Sequence, residues 1–464
     1  MVAARQEVLQ NAATAAPAPL ALKAASGKRP FVMIDGFNLG LEKGTGVATY
    51  ARNLSYALRD LSCDVGVLYG GRFNASDDPL LQEILFFDQE SSTNRWWART
   101  RRHLDKVLSP TSNTAFEVPV TGTVIADPFL SRLPHYDSIW NAPDLYQKSS
   151  VQFELFRLIN QVRLKRELDL CHWTYPLPLR IKGVPNVYTL HDLVPLRLPY
   201  TTLDKKEKYL RLVKWVCRNA DHIVTVSESS KRDIVDLLGV DPEKVTNTYE
   251  AVNIPTAYLH KPEEIVRREV EGTFGLKYKD YFLFYGSIEP KKNIGRMLQG
   301  YLTSGVTTPL VLVGAQAWKS EQELALLAAQ DVRSKLRRGR GGGKIVKLEY
   351  APFALLVSLI RGAKAVLFPS LYEGFGLPVL ESMMLGTPVL TSHTSSIPEI
   401  AGEAALLIDP YDPRAIAEGV RALDENEALR QELAAKGVTQ AERFSERAYA
   451  ERLLSVYERV LSRQ

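Results

Sequence analysis

Short runs of apolar, strand-forming residues recur along this chain between longer segments with charged faces. The clearest runs lie at residues 31–35, 186–190, 222–226, 281–285 and 365–369. They are apolar throughout rather than at every second position, which is typical of strands that helices cover on both faces. Such strands alternating with helices predict an α/β fold built on doubly wound parallel sheets.

The length of the chain sets the expected number of domains. It has 464 residues, more than the roughly 250–300 that one hydrophobic core usually supports. A proline-containing, charged stretch near residues 253–278 interrupts the strand–helix pattern. We therefore predict an alanine-rich disordered tail at 1–28, an N-terminal domain at 29–260, a C-terminal domain at 275–440 and a terminal helix at 441–464.

Composition excludes several classes of protein. The three cysteines, Cys63, Cys171 and Cys217, are widely spaced, so neither a disulfide framework nor a zinc site is expected. The sequence contains no run of about 18 apolar residues, so no membrane-spanning helix is expected. The net charge of +5 is mild and does not require a nucleic-acid partner. We expect a cytoplasmic protein with reduced thiols that binds no nucleic acid.

The most informative segment follows the strand that ends at Phe368. Residues 369–378 read Pro-Ser-Leu-Tyr-Glu-Gly-Phe-Gly-Leu-Pro. Gly374 and Gly376 permit a tight turn and a close approach of the backbone to a ligand. The proline that follows suits the first turn of a helix, which we predict over residues 378–385.

The start of that helix has the chemistry of an anion site. Its free N–H groups and partial positive charge suit a diphosphate. Glu381 lies one turn into the helix, where its carboxylate has the reach to accept hydrogen bonds from a ribose diol. Glu373 precedes the turn and is placed to contact a sugar beyond the diphosphate.

Glu373 and Glu381, with seven residues between them, resemble the Glu-x7-Glu motif of the retaining family-4 (group 1) glycosyltransferases of the GT-B fold. Residues 369–378, 386–389 and 396–405 are similar to that family as well. The resemblance implies two Rossmann-like domains facing each other across a cleft. It also implies a hexosyltransferase that moves a sugar from a nucleotide-diphosphate donor to an acceptor hydroxyl, with retention of configuration and without a metal cofactor.

The resemblance assigns roles in the C-terminal half. Lys292, in the loop at residues 286–294, matches the position whose ammonium binds the donor diphosphate. Many members carry arginine where this chain has Ser287, and Lys291 is the residue that would compensate. The predicted donor-binding residues are Gly46, Ser287, Lys291, Lys292, Gly374, Phe375, Gly376, Leu377 and Glu381.

Two segments complete the predicted site from the N-terminal half. The glycine-rich stretch 39–50 opens a helix, and the resemblance places the Gly46 amide on the donor phosphate. His191 ends a strand, where the resemblance puts it beside the transferred sugar, with Asp192 to orient it. The predicted catalytic residues are His191, which would hydrogen-bond the sugar and stabilise developing charge, together with Lys292 and Glu373.

Several alternatives stay open at this point. Segment 94–108 combines two tryptophans with five lysines and arginines, which fits either a helix on an anionic membrane or an ordinary domain helix. The loop at 286–294 looks like those of mannosyltransferases, which favours GDP-mannose, although a dTDP-rhamnose or UDP-sugar donor remains possible. The acceptor would be a glycan or a lipid-linked sugar of a bacterial surface polysaccharide or lipopolysaccharide O-chain, reached from the inner face of the membrane.

A function of another class is an inactive subunit that binds a nucleotide sugar, for which the missing arginine at Ser287 is the support. A nucleotide-sugar 2-epimerase of the same fold is a further alternative, and the motif set argues against it.

Overall fold

The computed structural model describes residues 20–23, 27–40, 46–88, 110–126, 133–317, 320–324 and 345–463. Segment 94–108, with its proposed membrane contact, lies outside these residues, as do residues 1–19 of the predicted tail.

The N-terminal half is built on an eight-stranded sheet with the order β11-β10-β9-β7-β1-β2-β5-β4. Neighbouring strands are parallel, except for the antiparallel pair β4–β5. A small sheet of β3, β6 and β8 lies beside it. The strands of this half are β1 Phe31–Asp35, β2 Asp64–Tyr69, β3 Ser112–Thr114, β4 Phe116–Val118, β5 Ser138–Asn141, β6 Asn160–Arg163, β7 Leu170–Trp173, β8 Leu179–Ile181, β9 Asn186–Thr189, β10 His222–Thr225 and β11 Val245–Asn247.

The C-terminal half is built on a six-stranded parallel sheet with the order β14-β13-β12-β15-β16-β17. This is the order of a doubly wound sheet, in which the chain reverses its direction of travel between β12 and β15. The strands are β12 Phe282–Tyr285, β13 Leu310–Val313, β14 Ile345–Leu348, β15 Ala365–Phe368, β16 Val389–Ser392 and β17 Leu406–Ile408.

Helices alternate with these strands in both halves. In the N-terminal half they are α1 Gly46–Asp60, α2 Pro79–Phe87, α3 Leu145–Phe156, α4 Val194–Arg197, α5 Lys206–Asn219, α6 Glu228–Leu238 and α7 Thr256–Leu259. They continue as α8 Glu263–Phe274, α9 Ile294–Thr303, α10 Ser320–Glu323, α11 Phe353–Gly362, α12 Leu377–Met384, α13 Ile397–Ala401, α14 Pro413–Glu425, α15 Glu427–Ala441 and α16 Glu446–Leu461.

The central strands are buried along their whole length, as the uninterrupted apolar runs predict. All residues of β1, β9, β10, β12, β13 and β15 are buried. One apolar cluster fills the far face of the N-terminal sheet, and a larger one runs from its α1 face into the C-terminal domain. The predicted two-domain α/β fold with parallel sheets is therefore confirmed.

Part of the predicted disordered tail is ordered. Leu22 is buried in the larger cluster, and its N–H donates to the carbonyl oxygen of Leu61 at 3.0 Å. The prediction of a tail extending to residue 28 is therefore wrong at Leu22. The physical reason is that one leucine in an alanine-rich stretch has enough apolar area to dock beside the end of α1.

The last helix returns to the N-terminal half. α16 packs against α1, and the Tyr457 hydroxyl lies 2.6 Å from Nδ1 of the buried His172 on β7. His172 Nε2 in turn lies 2.7 Å from the Thr189 hydroxyl, at the end of β9. The C-terminal helix thus packs into the core of the N-terminal domain, next to β7 and β9.

The remaining compositional predictions concern thiols and membrane spans. All three cysteines are buried and free. Among the helices of the described ranges, none combines the length and the apolar character needed to cross a bilayer.

Candidate active site

The two sequence loops of the C-terminal half lie where its sheet reverses direction. The loop containing Lys292 follows β12, and the loop containing Glu373 follows β15, and these two strands pair with each other. Ligands of doubly wound sheets bind in the crevice at the carboxyl ends of such strands. The position of both loops follows from the topology rather than from their own sequences.

Glu373 and Lys292 form a buried ion pair in this crevice. Lys292 Nζ donates to Glu373 Oε1 at 2.7 Å, and the two side chains are 10% and 8% exposed. The Ser370 hydroxyl donates to the same carboxylate oxygen at 2.5 Å. Burial alone would raise the pKa of Glu373, but Lys292, Lys291 and these hydrogen bonds outweigh it and lower the pKa. Glu373 is therefore ionised at neutral pH.

Lys291 is a second, partly buried cation beside this pair. Its Nζ lies 3.7 Å from Glu289 Oε1. Burial opposes its charge, but the carboxylates of Glu373, Glu289 and Asp192 outweigh burial and raise its pKa. Ser287, by contrast, is exposed, and its hydroxyl donates to Glu289 at 3.2 Å. Lys291 therefore places a second positive charge near Glu373 and Glu289, and its compensation for the missing arginine at Ser287 stays a prediction.

Gly374 brings the two domains into contact. A Cβ atom at this position would lie 3.0 Å from both Asp192 Oδ2 and the carbonyl oxygen of His191. Any side chain would push the Glu373 loop away from the end of β9. The Ser230 hydroxyl of α6 also lies 3.4 Å from the Gly374 carbonyl oxygen.

The helix starts of the two domains face the same gap. Gly376 has φ of 117° and precedes α12, which begins at Leu377. Gly46 is the first residue of α1, and a Cβ built on it would lie 3.9 Å from Leu377 Cδ1. The N-terminal ends of two helices, one from each domain, therefore lie next to each other, and such ends carry a partial positive charge. The predicted helix after Phe375 is thus found one residue earlier than expected.

Phe375, just before the start of α12, packs against aromatic residues of other segments. Its ring is 4% exposed and packs at 6.3 Å from Tyr249 and 5.7 Å from Phe444, measured between ring centroids. Phe375 is therefore a packing residue in this structure, and a donor contact by its side chain stays a prediction.

Glu381 lies above the end of β12. The Tyr285 hydroxyl is 3.1 Å from Glu381 Oε2 and 2.7 Å from the carbonyl oxygen of Pro378. Burial raises the pKa of Glu381 to about 7, and the hydrogen bond from Tyr285 lowers it only in part. Two hydroxyl groups that donate hydrogen bonds to Glu381 would therefore favour its ionised carboxylate form.

His191 is held by groups other than the expected one. Its Nε2 donates to the carbonyl oxygen of Thr174 at 2.9 Å, and its Nδ1 lies 3.4 Å from Glu250 Oε1. Asp192 instead accepts from the N–H of Val194, so the prediction that Asp192 orients the ring is wrong. The reason is that the strand end turns immediately, and the short Asp192 side chain caps its own turn.

Both ring nitrogens of His191 face hydrogen-bond acceptors, an arrangement that only the imidazolium satisfies. Burial alone would lower the pKa of His191, but Glu250 and the Thr174 carbonyl outweigh it and raise the pKa. The ring packs edge-on against Tyr50 of α1, with centroids 4.7 Å apart. His191 is therefore held between Glu250 and Thr174, on the N-terminal side of the cleft.

Glu399 bridges the domains at the edge of this site. Its two carboxylate oxygens each accept a backbone N–H at 2.9 Å, from Glu228 and Ser229 at the start of α6. Tyr372 donates to Asp233 on the same helix. A cavity of about 660 Å³ lies along this edge. These contacts join the two halves at this edge of the site.

Sequence reasoning missed Glu250, Tyr285 and the bridging role of Glu399. Glu250 and Tyr285 lie at or just after the carboxyl ends of β11 and β12, and that position was the available signal. No local sequence pattern predicts that Glu399 caps a helix of the other domain. Across the described ranges no three His, Cys, Asp or Glu side chains are grouped to hold a metal ion.

Both halves of the chain match known families. Residues 269–440 match the family described as Glycosyl transferases group 1, and residues 44–254 match Glycosyltransferase Family 4. O-antigen chain mannosyltransferase B of Escherichia coli is 32% identical over 275 residues, which are 58% of this chain and 68% of that protein. The chain belongs to the family-4 (group 1) glycosyltransferases.

Other relatives of this glycosyltransferase differ in length. The serotype-specific mannosyltransferase WbdA of Escherichia coli is 27% identical over 288 residues, which are 59% of this chain and 33% of WbdA. The glycosyltransferase thus spans about a third of that relative and about two thirds of the preceding one.

Solved structures share the whole two-domain fold of the glycosyltransferase. Sucrose-phosphate synthase from Thermosynechococcus elongatus has a TM-score of 0.63 at 16% identity, covering 94% of this chain and 100% of that one. Anabaena HepE in complex with UDP and glucose has a TM-score of 0.60 at 15% identity, covering 93% and 100%. At these identities the likeness concerns the fold alone, which is GT-B.

Proposed function

We propose that this glycosyltransferase moves a hexose from a nucleotide-diphosphate donor to an acceptor hydroxyl with retention of anomeric configuration. The observation that carries the proposal is the meeting of Gly46 with Leu377 at the starts of α1 and α12, beside the crevice that holds Lys292 and Glu373. Two helix starts and two lysines around one gap suit a diphosphate.

The donor would lie across the switch point of the C-terminal sheet. Glu381 would accept hydrogen bonds from the ribose diol, as its raised pKa and its position above β12 suggest. The amides of Gly46 and of the α12 start, with Lys292 and Lys291, would bind the diphosphate. Glu373, ionised and held by Lys292, would face the transferred sugar.

The proposed chemistry is a front-face substitution. The bond between the anomeric carbon and the diphosphate oxygen breaks, and a bond to the acceptor oxygen forms on the same face. The acceptor's proton passes to the departing phosphate. Lys292 and Lys291 stabilise the negative charge of the leaving diphosphate, a role that a metal ion takes in other enzymes. Closure of the domains by Glu399 would exclude water.

GDP-mannose is the donor we propose first. The curated relatives carry the names O-antigen chain mannosyltransferase and serotype-specific mannosyltransferase, and the loop after β12 resembles mannosyltransferase loops. A dTDP-rhamnose or UDP-sugar donor is the alternative, and a structure with the same fold was solved with UDP. The product would be a lipopolysaccharide O-chain or a related surface polysaccharide, made on the cytoplasmic side of the membrane.

An inactive nucleotide-sugar-binding subunit is the alternative of another class. Its support was the absence of arginine at Ser287. Lys291 lies partly buried near Glu373 and Glu289, so a second cation is present in the crevice. The arrangement therefore favours an active enzyme.

A thermal-shift screen with GDP, UDP, dTDP and ADP tests donor binding, because a ligand that binds only the folded state raises the melting temperature. GDP is expected to give the largest shift, and Lys292→Ala is expected to reduce it. Transfer is then assayed with the matching nucleotide sugar. Absence of a shift with every nucleotide would overturn the proposed function.

A further inference from the structure

An apolar trough lies on the N-terminal domain, beside the loop that carries His191 and Asp192. It is a cavity of about 420 Å³, within the roughly 300–1,000 Å³ range of small-molecule sites. Four aromatic side chains, Phe37, Tyr146, Tyr175 and Tyr209, line it. The Phe37 ring centroid lies 5.2 Å from that of Tyr146 and 6.1 Å from that of Tyr175. We call these four residues and the space between them the aromatic trough.

The trough starts next to His191. The Tyr209 hydroxyl donates to the carbonyl oxygen of Asp192 at 2.9 Å. Tyr175 follows Thr174, whose carbonyl accepts from His191 Nε2. Phe37 and Tyr175 each lie two residues beyond the end of a central strand, β1 and β7. The trough is therefore part of the same carboxyl edge of the sheet as His191.

The charged groups in the trough are balanced. Two lysines, Lys205 and Lys208, lie with two carboxylates, Glu154 and Asp204. Both lysines donate to Glu154, Lys208 at 2.9 Å, and Lys208 also donates to the Ser150 hydroxyl at 2.9 Å. A phosphate or diphosphate group would have to break these pairs. The trough thus suits an uncharged occupant with apolar faces and hydroxyl groups.

A smaller cavity adjoins the trough. A second cavity of about 190 Å³ shares Glu154, Lys205 and Lys208 with it and extends to Arg211. The two cavities together extend along α3 and α5, because residues of both helices line each of them. Such a path suits a chain of linked residues better than one small molecule.

We propose that the aromatic trough binds the acceptor as a neutral oligosaccharide. The terminal sugar would stack its apolar face on the rings of Phe37 and Tyr175, and the preceding sugar would lie over the Glu154–Lys205–Lys208 cluster. Aromatic walls with a few polar groups at the rim are what a sugar requires, because its ring faces are apolar and its edge is hydroxylated. This proposal rests on the proposed transfer function and names its acceptor class.

The test measures binding of α-linked mannotriose and of mannose to the full chain saturated with the nucleotide that stabilises it most. Gln147 is exposed on the trough rim, so Gln147→Trp fills the trough without removing a core side chain. Tyr175→Ala removes one stacking wall. Gln431→Trp, at an exposed position of α15 in the other domain, is the matched control.

We expect mannotriose to bind at least about tenfold more tightly than mannose, and both trough variants to weaken it by about tenfold or more. Nucleotide affinity stays unchanged in all variants, and Gln431→Trp behaves as wild type. Equal mannotriose affinity in wild type and Gln147→Trp overturns the inference, as does lack of glycan binding. The inference is also overturned if farnesyl diphosphate binds instead of mannotriose and Gln147→Trp weakens that binding. Loss of nucleotide binding in the wild type would instead refute the proposed function.

Discussion

Glu381 tests the proposed nucleotide site. Burial of its carboxylate favours hydrogen bonds from a bound ribose, but it lowers the stability of the enzyme without nucleotide at neutral pH. Its pKa is raised from 4.5 to about 7. Below about pH 4.5 the carboxyl group is protonated in both the folded and unfolded states. Between that pH and about 7 only the unfolded state ionises, so the stability that Glu381 contributes is lost as pH rises through this window.

The size of the effect follows from the two pKa values. Each pKa unit corresponds to about 1.4 kcal/mol, so the full difference is on the order of 3 kcal/mol above pH 7. Glu381→Gln removes the titrating group and keeps an oxygen for Tyr285. The variant is therefore expected to melt roughly 5–10 °C above wild type at about pH 8, since 1 kcal/mol shifts a domain of this size by about 2–4 °C. Most of that gain disappears at about pH 5.

The cost should show in nucleotide binding. A ribose diol gives charge-assisted hydrogen bonds to the carboxylate, worth roughly 1.5–3 kcal/mol, so Glu381→Gln should bind nucleotide about 10- to 100-fold more weakly. Wild-type affinity should also fall about tenfold per pH unit below 7, because the carboxyl group must lose its proton first.

Calorimetry at both pH values measures stability, and isothermal titration measures affinity. Glu418→Gln, exposed on α14, is the control that changes neither. A melting difference between Glu381→Gln and wild type that is the same at both pH values would refute the burial argument. Unchanged nucleotide affinity would refute the ribose role.

Four further single variants and one double variant test the rest of the structure. Lys292→Ala should lower kcat by about 10²–10³, because the charge of the leaving group loses its partner. It should also lower the melting temperature, because buried Glu373 loses its ion-pair partner. Adding Glu373→Gln should restore the melting temperature but not kcat, and restoration of kcat in single-turnover assays would contradict the proposed role of Lys292. His191→Ala should lower kcat by about 10²–10³, because developing charge loses a stabilising group, with nucleotide affinity intact; an equal loss of affinity in titrations would argue for a binding role. Glu399→Ala removes acceptors from two α6 N–H groups, so X-ray scattering should report a larger radius of gyration, and an unchanged profile would show that the bridge is dispensable. Tyr457→Phe leaves buried His172 Nδ1 without its partner and should cost about 1–3 kcal/mol of stability, which urea unfolding detects; no change would mean that the ring finds another partner.

Much of the fold could be predicted from local patterns. The apolar runs that became β1, β9, β10, β12 and β15 were identifiable because strands buried on both faces have no polar face to interrupt them. The start of α12 was identifiable within one residue, because two glycines and a proline have few structural uses other than a turn into a helix.

The partners within the site were a different matter. The sequence named Lys292 and Glu373 separately, but their 2.7 Å ion pair depends on β12 and β15 being neighbours in the sheet. Likewise Glu250, and not the adjacent Asp192, holds His191, because strand order brings distant residues together and local turns use up near ones.

The sequence by itself determined the alternation of strands and helices, the two glycine-marked helix starts and the residue types available for binding a diphosphate. These follow from backbone preferences and burial, which act over a few residues. Only the tertiary structure decided which charges pair, that Glu399 bridges the domains, that Leu22 is buried and that four aromatic residues from separate segments line one trough. Those outcomes depend on contacts between residues far apart in the chain, which no local preference specifies.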